Sequence, residues 1–342
     1  MAMNRMHSIT VDTIYIVIWT CTAWLYLLWI DRGCLIVCGR LEGIGINNLL
    51  VPLIEHPSLL YWVPYVGTAG GLGMLLALAG TLVTCVLACT RTSLIFLIGI
   101  IIFWLMGVVM QPQDSSDHGN LLQNSLVIPQ RYQSLNAPFG TAHALLDCVR
   151  NCLHKNPELR LLVFPESAVS DLDVLPIFEQ LWLQEKNVQH IHLLIGGFSA
   201  DNKGYHNTIY WFYRGKLQQL IHKNHANPLT ERSISNISGI RSVYFDTIPE
   251  IIPDTRRRIA CLFEGFGCDA VVYICSELFF NSRPHDHYRK KLIIALCNDA
   301  WVGKIAQRQM LMQARFKAFL WQRDIMYCTY NYHALLKSSG AN

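Results

Sequence analysis

Three long runs of apolar residues stand at the front of the chain, and short apolar runs broken by polar ones make up the rest. Ile14 to Ile30, Gly67 to Ala88 and Ser93 to Met110 contain no charged residue. Each is about long enough to cross a hydrocarbon core of about 30 Å, so the pattern predicts three transmembrane helices. The first could instead serve as a secretory signal, but its apolar run is long for one and no small-residue cleavage pattern follows at "DRGCLIVCGR". Between the first two runs, Asn47 to Gly67 carries several prolines with Trp62 and Tyr65, which suits an interfacial or re-entrant segment better than a fourth crossing. Gly67, Gly70, Gly71 and Gly73 offer either a smooth face for helix packing in lipid or a flexible entry to the second span.

After a polar linker, Gln111 to Asn120, the period changes. "LRLLVFPES" (Leu159 to Ser167) reads as a buried strand ended by proline, and "HIHLLIGGFS" (His190 to Ser199) as a second strand with a glycine turn. The segment between them has apolar residues at helical spacing. Thr208 to Lys223 reads as a hairpin around Arg214, Gly215 and Lys216. "DAVVYIC" and "KKLIIALC" are two more buried strands, and Gln307 to Arg323 is a helix. Strands alternating with amphipathic helices predict an α/β domain. The expected organisation is a membrane domain over residues 1–110, a linker over 111–120 and a catalytic domain over 121–342.

Composition agrees with a membrane protein, since 52% of the residues are hydrophobic and only 15% charged. The net charge of +4 forms no basic run and no nucleic-acid motif, so no DNA or RNA contact is expected. Arg5 and Arg91 flank the spans on one side, and the positive-inside tendency then places everything after Met110 outside the cytoplasm; Arg32 and Arg40 argue the other way. Twelve cysteines are present, but none shows metal-site spacing. Cys148 and Cys152 fall on one helix face, as two core thiols would.

Glu166 and Cys275 each end a predicted strand, and Lys223 closes the hairpin. Residues just past strand ends collect at one edge of an α/β sheet, where sites form. A carboxylate that takes a thiol proton, a thiolate that attacks a carbonyl and an ammonium that steadies the oxyanion are together sufficient for acyl transfer. A nearby lysine also favours the thiolate. Taken singly, each has a plainer reading: a core thiol, a helix-start carboxylate, a solvated hairpin charge.

The surrounding stretches resemble the nitrilase (carbon–nitrogen hydrolase) superfamily, most closely the apolipoprotein N-acyltransferases. "FPES" is similar to that family's strand-ending Pro-Glu. "GYHNTIYWFYRGKLQQLIHKNHANPLTE" resembles its Tyr-x-Asn-Ser/Thr hairpin and the Lys-x-x-Leu-Val-Pro-Phe-Gly-Glu that follows, with Asn207, Lys223, Pro228 and Glu231 in register. "ICSE" resembles the nucleophile motif Ile-Cys-Tyr-Glu. "NDAWVG", then Ala314 and Arg315, resemble Asn-Asp-Ala-Trp-Phe-Gly and the Met-Ala-Arg helix. A shortened chain of this kind also resembles the related conjugal-transfer TraB family.

This resemblance implies an αββα sandwich preceded by transmembrane helices, in a bacterial inner membrane with the catalytic domain on the outer side. It implies Cys275 as nucleophile, Glu166 as base, Lys223 as oxyanion stabiliser and Glu231 as a second carboxylate. Asn207, Glu277, Asn298, Asp299 and Trp301 are expected at the substrate. Asn298 and Asp299 could equally form a turn and helix cap, and Trp301 could equally pack in the core. The implied partners are a phospholipid acyl donor and a lipoprotein amine acceptor; no cofactor is implied. The alternatives are a TraB-type amidase and a catalytically silent scaffold that binds a conjugation or secretion partner. Ser276, Thr230, "ANPL" and Leu320 depart from the family's pattern, as do three spans where the family generally has eight.

Overall fold

The computed structural model describes residues 53–54, 60, 63–88, 91–109, 125–127, 139–185, 188, 190–202, 204–224, 261–263, 268–279, 292–300 and 304–338. The first expected span and the linker lie outside them.

Two five-stranded sheets form the core. The first contains β1 (Ser125–Val127), β2 (Leu161–Val163), β3 (His192–Asp201), β4 (Gly204–Tyr213) and β5 (Lys216–His222), in that spatial order. Its first three strands are parallel and the rest antiparallel. The second is ordered β10 (His333–Leu336), β9 (Ile325–Cys328), β8 (Leu292–Leu296), β7 (Cys268–Ile274), β6 (Cys261–Phe263), with β7, β8 and β9 parallel. Parallel neighbours need crossovers, and helices α3 (Ala142–Lys155), α4 (Val174–Gln184) and α5 (Lys304–Trp321) supply three of them.

Strand periodicity decides the layering. Leu161, Val163, Leu194 and Ile209 of the first sheet meet Val272, Ile274, Leu292, Ile294 and Met326 of the second in one buried cluster. The opposite face of the first sheet (Leu162, Leu193, Ile195, Phe212) packs on Leu145, Val149, Phe178 and Trp182 of α3 and α4. The opposite face of the second (Val271, Tyr273, Ile293, Tyr327) packs on Ala314, Ala318 and Trp321 of α5. The order is helix, sheet, sheet, helix, an αββα sandwich. Both faces of every central strand are buried, which is why those strands read as continuous apolar runs rather than alternating ones.

One expectation is corrected here. Gly196 and Gly197 do not make a turn; they lie inside β3, which pairs with β4 as far as Asp201. The reversal falls at Asp201 to Gly204, where Asp201 accepts the Gly204 N–H at 3.3 Å and glycine takes φ 139°.

Two apolar helices precede the sandwich, α1 (Val63–Ala88) and α2 (Arg91–Val109). α1 starts four residues before the expected span, with Pro64 in its first turn, where a missing N–H costs no hydrogen bond. Among the described residues no helix is long and apolar enough to cross a membrane. Over its whole span α1 nonetheless has 26 residues and no charge, and the only charge in α2 is Arg91 at its first position. Ile54, Leu60, Val63 and Leu75 dock on Met312, Phe316 and Phe319 of α5. Leu320 packs in the same cluster.

Candidate active site

Glu166 follows Pro165 just past β2 and is 4% exposed. Three donors converge on it. Its Oε1 accepts from Asn207 Nδ2 at 2.6 Å and from Lys223 Nζ at 3.2 Å, and its Oε2 accepts from the backbone N–H of Asn298 at 2.9 Å. Donors on both oxygens and a cation on one favour the ionised carboxylate, the form a base needs.

The backbone makes this approach possible through Gly196. A Cβ at that position would lie 2.3 Å from the Pro165 carbonyl oxygen and 2.6 Å from Glu166 Cα, so the chain leaving β2 crosses over β3 where there is no side chain. Ser167 next takes φ 57°, a left-handed conformation that non-glycine residues hold only under restraint. The restraint includes the Tyr330 hydroxyl, which donates to the Ser167 carbonyl. Burial pushes the Tyr330 hydroxyl well up, so it stays protonated and keeps donating. Gly196→Ala is therefore expected to destabilise the protein by about 1–3 kcal/mol through backbone overlap. Thermal denaturation would measure it, and a change below a few tenths of a kcal/mol would show that the crossing can relax.

Asn207 and Lys223 come from β4 and β5. The Lys223 N–H donates to the Asn207 carbonyl at 2.8 Å, extending the ladder one step beyond the Thr208–His222 pair and setting the two residues opposite each other. Both continue the inward-facing rows of Ile209 and Ile221. Lys223 is 1% exposed, so a charge read from sequence as a plausible solvated residue is wholly buried.

Cys275 stands at the end of β7 with φ 48°, the left-handed conformation of a sharp elbow, and opens a 3₁₀ turn to Phe279. It is half-buried and packs at the border of the inner sheet cluster and the α5 cluster. Glu277, 2% exposed, fixes the elbow: its Oε2 accepts the Ile274 N–H at 2.9 Å and its Oε1 the Asn224 N–H at 2.6 Å. One carboxylate thus holds the residue before the cysteine and the residue after the lysine. Glu166 reaches from the first sheet to Asn298 in the second, and Glu277 reaches back from the second to Asn224 in the first. The two carboxylates stitch the sandwich together around the site.

Asn298 and Asp299 follow β8. The Asn298 side chain accepts the Ala300 N–H at 3.1 Å, an Asx turn. The Asp299 carboxylate accepts from Thr329 Oγ1 at 2.9 Å and from Asn331 Nδ2 at 3.2 Å, which ties the β8 end to the β9–β10 connection. Their side chains meet the protein, and Asn298 meets Glu166 through its backbone. Glu231 and Trp301 lie outside the described residues. The structure therefore brings Glu166, Asn207, Lys223 and Asn298 together directly, with Glu277 joined through the Asn224 N–H next to Lys223 and holding the Ile274 N–H before Cys275.

Sequence reasoning missed Gly196, Tyr330, Thr329 and Asn331. A glycine inside a strand pattern was a usable signal of close backbone approach; the other three carried none. It also missed Cys297, although two neighbouring strands both end in cysteine.

No family model matches the chain, and no curated protein matches it. Solved structures do resemble it at low identity. A carbon–nitrogen hydrolase from Helicobacter pylori G27 is 14% identical, with a TM-score of 0.41 over 56% of this chain and 70% of that one. A member of branch 10 of the nitrilase superfamily from Saccharomyces cerevisiae is 16% identical, with a TM-score of 0.42 over 63% and 82%. An amidase from Nesterenkonia sp. is 11% identical, with a TM-score of 0.42 over 63% and 86%. The αββα architecture rests on this chain's own strand registers and core clusters.

Proposed function

We propose that the chain is a membrane-anchored acyltransferase that works through a thioester on Cys275. Glu166 takes the thiol proton, and the thiolate attacks the ester carbonyl of a phospholipid. Lys223 steadies the oxyanion of the tetrahedral intermediate, and the lysophospholipid leaves with the proton. A free amine then attacks the thioester, an amide forms and the Cys275 thiol is restored. The acceptor is the α-amino group of a lipoprotein's terminal cysteine, with Glu231 positioning the lysine or the amine. The catalytic domain sits outside the cytoplasm on a bacterial inner membrane.

The observation that carries the reading is the double carboxylate clamp. Glu166 with its buried ion partner Lys223 is tied to the Cys275 elbow by Glu277, which assembles base, oxyanion donor and nucleophile from three strand ends. Burying a charge pair is costly, so the pair supports catalysis better than it supports stability.

Support for lipid comes from α2. Leu94, Ile95, Ile98, Ile101, Ile102 and Leu105 recur at helical spacing and are 48–69% exposed, a continuous apolar stripe that water would not favour. Ile305, at the start of α5 and close in sequence to Asn298, is 78% exposed. An amidase would form the same thioester and release it to water; the stripe favours the lipid reading.

Purified full-length protein incubated with phospholipid vesicles is expected to gain a fatty-acyl mass on the peptide containing Cys275, removable by hydroxylamine and absent from Cys275→Ala. Peptide mass analysis reads it. A folded, membrane-inserted protein that gains no adduct, yet releases amine from short amides, would overturn the acyltransferase in favour of the amidase.

A further inference from the structure

The α5-facing side of the second sheet holds a nucleophilic group that the proposed chemistry does not use. β7 and β8 are parallel and in register up to Ile274 and Leu296, so the next residues of the two strands, Cys275 and Cys297, are lateral neighbours. Neighbouring strands lie about 4.8 Å apart. Disulfides form across Cα separations of about 4.4–6.8 Å. Cys297 is fully buried, while Cys275 is half-buried. The Cys275 thiol and the Tyr327 hydroxyl are polar neighbours of Cys297. Burial first, and the neighbouring Cys275 thiol second, push the Cys297 thiol up, so it stays protonated beside its neighbour.

We infer that Cys275 and Cys297 form a reversible disulfide that protects the nucleophile from irreversible oxidation and switches it off while it lasts. The inference rests on Cys275 being the reactive thiol and on nothing about its acyl donor. The oxidant is hydrogen peroxide. The Cys275 thiolate attacks the peroxide oxygen: an S–O bond forms, the O–O bond breaks, and the leaving hydroxide takes up a proton as water. The Cys297 sulfur then attacks the sulfenic sulfur. An S–S bond forms, the S–O bond breaks, and the Cys297 proton leaves with the hydroxide as a second water. A dithiol reductant reverses the bond by exchange.

The pairing also accounts for where the second thiol sits. A resolving thiol must reach the first without unfolding, and adjacent ends of two parallel strands provide that reach. Cys328 is equally buried, but Met326 and Cys328 point into the inter-sheet cluster, on the opposite face from Cys297. Cys148 and Cys152 belong to α3, beyond the first sheet. Cys275 borders both clusters, but among the described cysteines only Cys297 follows the end of the strand next to its own; Cys328 ends β9, one strand further away.

The test uses the full chain in detergent, treated with a several-fold molar excess of hydrogen peroxide, capped with N-ethylmaleimide under denaturing conditions and digested without reduction. Arg289, Lys290 and Lys291 let trypsin separate the two cysteines. The expected product is one cross-linked peptide pair joining Cys275 to Cys297, which dithiothreitol resolves into two free thiols. Cys297→Ser is expected to lose the cross-link and to accumulate sulfinic acid on Cys275 at the same dose, several-fold above the unsubstituted chain. Recovery of maleimide on Cys297 alongside sulfinic acid on Cys275 in the unsubstituted chain would overturn the inference. So would a cross-link from Cys275 to any other cysteine, or an unoxidised Cys275. No acyl donor enters the measurement, so its failure leaves the thioester reading standing, and a missing thioester leaves this one standing.

Discussion

Lys223→Met lowers the unfolding temperature by about 6–20 °C. Lys223 is 1% exposed and its Nζ stands 3.2 Å from Glu166 Oε1, itself on a residue 4% exposed. Removing the cation leaves a buried carboxylate without its ion partner, and breaking a buried pair from one side costs about 3–5 kcal/mol. For a protein of this size each kcal/mol moves the midpoint by about 2–4 °C. The double variant Lys223→Met with Glu166→Gln should recover part of the loss, because the stranded charge is gone; a coupling of about 0.5–3 kcal/mol is expected between contacting residues. Calorimetry on the four proteins measures it. Additive effects, or a single-variant shift under about 2 °C, would mean that the pair is solvated rather than buried. The same variant also removes the oxyanion donor, worth about 10²–10³ in the rate of thioester formation.

Glu166→Gln has its largest effect on chemistry. The amide keeps the shape of the side chain but cannot accept a proton at neutral pH, and the loss of a general base costs about 10²–10⁴ in rate. The stability change is smaller than for Lys223→Met. The amide retains one carbonyl acceptor but turns an N–H₂ toward either the Asn207 and Lys223 donors or the Asn298 N–H, and an unsatisfied buried donor costs about 1–3 kcal/mol. The two variants should therefore rank oppositely: Lys223→Met lower in melting temperature, Glu166→Gln lower in single-turnover thioester formation. A Glu166→Gln protein that still acylates Cys275 at the unsubstituted rate would remove Glu166 from the base role and leave it a structural clamp.

The two ranks come from one contact seen from two sides. In the proposed reaction one partner of this buried ion pair gives up its charge, and such a pair cannot be optimised for stability alone. Three donors converge on the Glu166 carboxylate, and Glu277 accepts the N–H of Ile274, the residue before Cys275. Each carboxylate takes one backbone N–H from the opposite sheet, Asn298 for Glu166 and Asn224 for Glu277, beside donors from its own sheet.

Much of this was readable in advance, for reasons that can be assigned to particular residues. β7 and β8 announced themselves as unbroken apolar runs because both faces of a central strand are buried, so hydrophobicity alone located them. The hairpin of β4 and β5 was set by Arg214 and Gly215, with φ 53° and 74° at the turn. Residue types at strand ends made Glu166, Lys223 and Cys275 candidates, and only the family resemblance of the surrounding stretches singled them out. The glycines of β3 misled because glycine signals either a turn or a close approach, and only the chain crossing above it distinguishes the two.

What the sequence determined by itself is local: where the apolar runs begin and end, which residues close each strand, and that the front of the chain is uncharged over the length of a bilayer. These depend on side-chain hydrophobicity and backbone preference, which act within a few residues. Only the tertiary structure decided which strand ends meet. Lys223 is 57 positions from Glu166, Asn298 is 132, and Asn224 is 53 from Glu277. The first closes within one sheet; the other two close because two sheets, each buried on both faces, stack through one inner cluster, and sheet packing has no counterpart in the order of residues along the chain. The neighbouring positions of Cys275 and Cys297 belong to the same class of fact. A strand's register against its neighbour is fixed by the pleat and the hydrogen-bond ladder between the two, not by the composition of either.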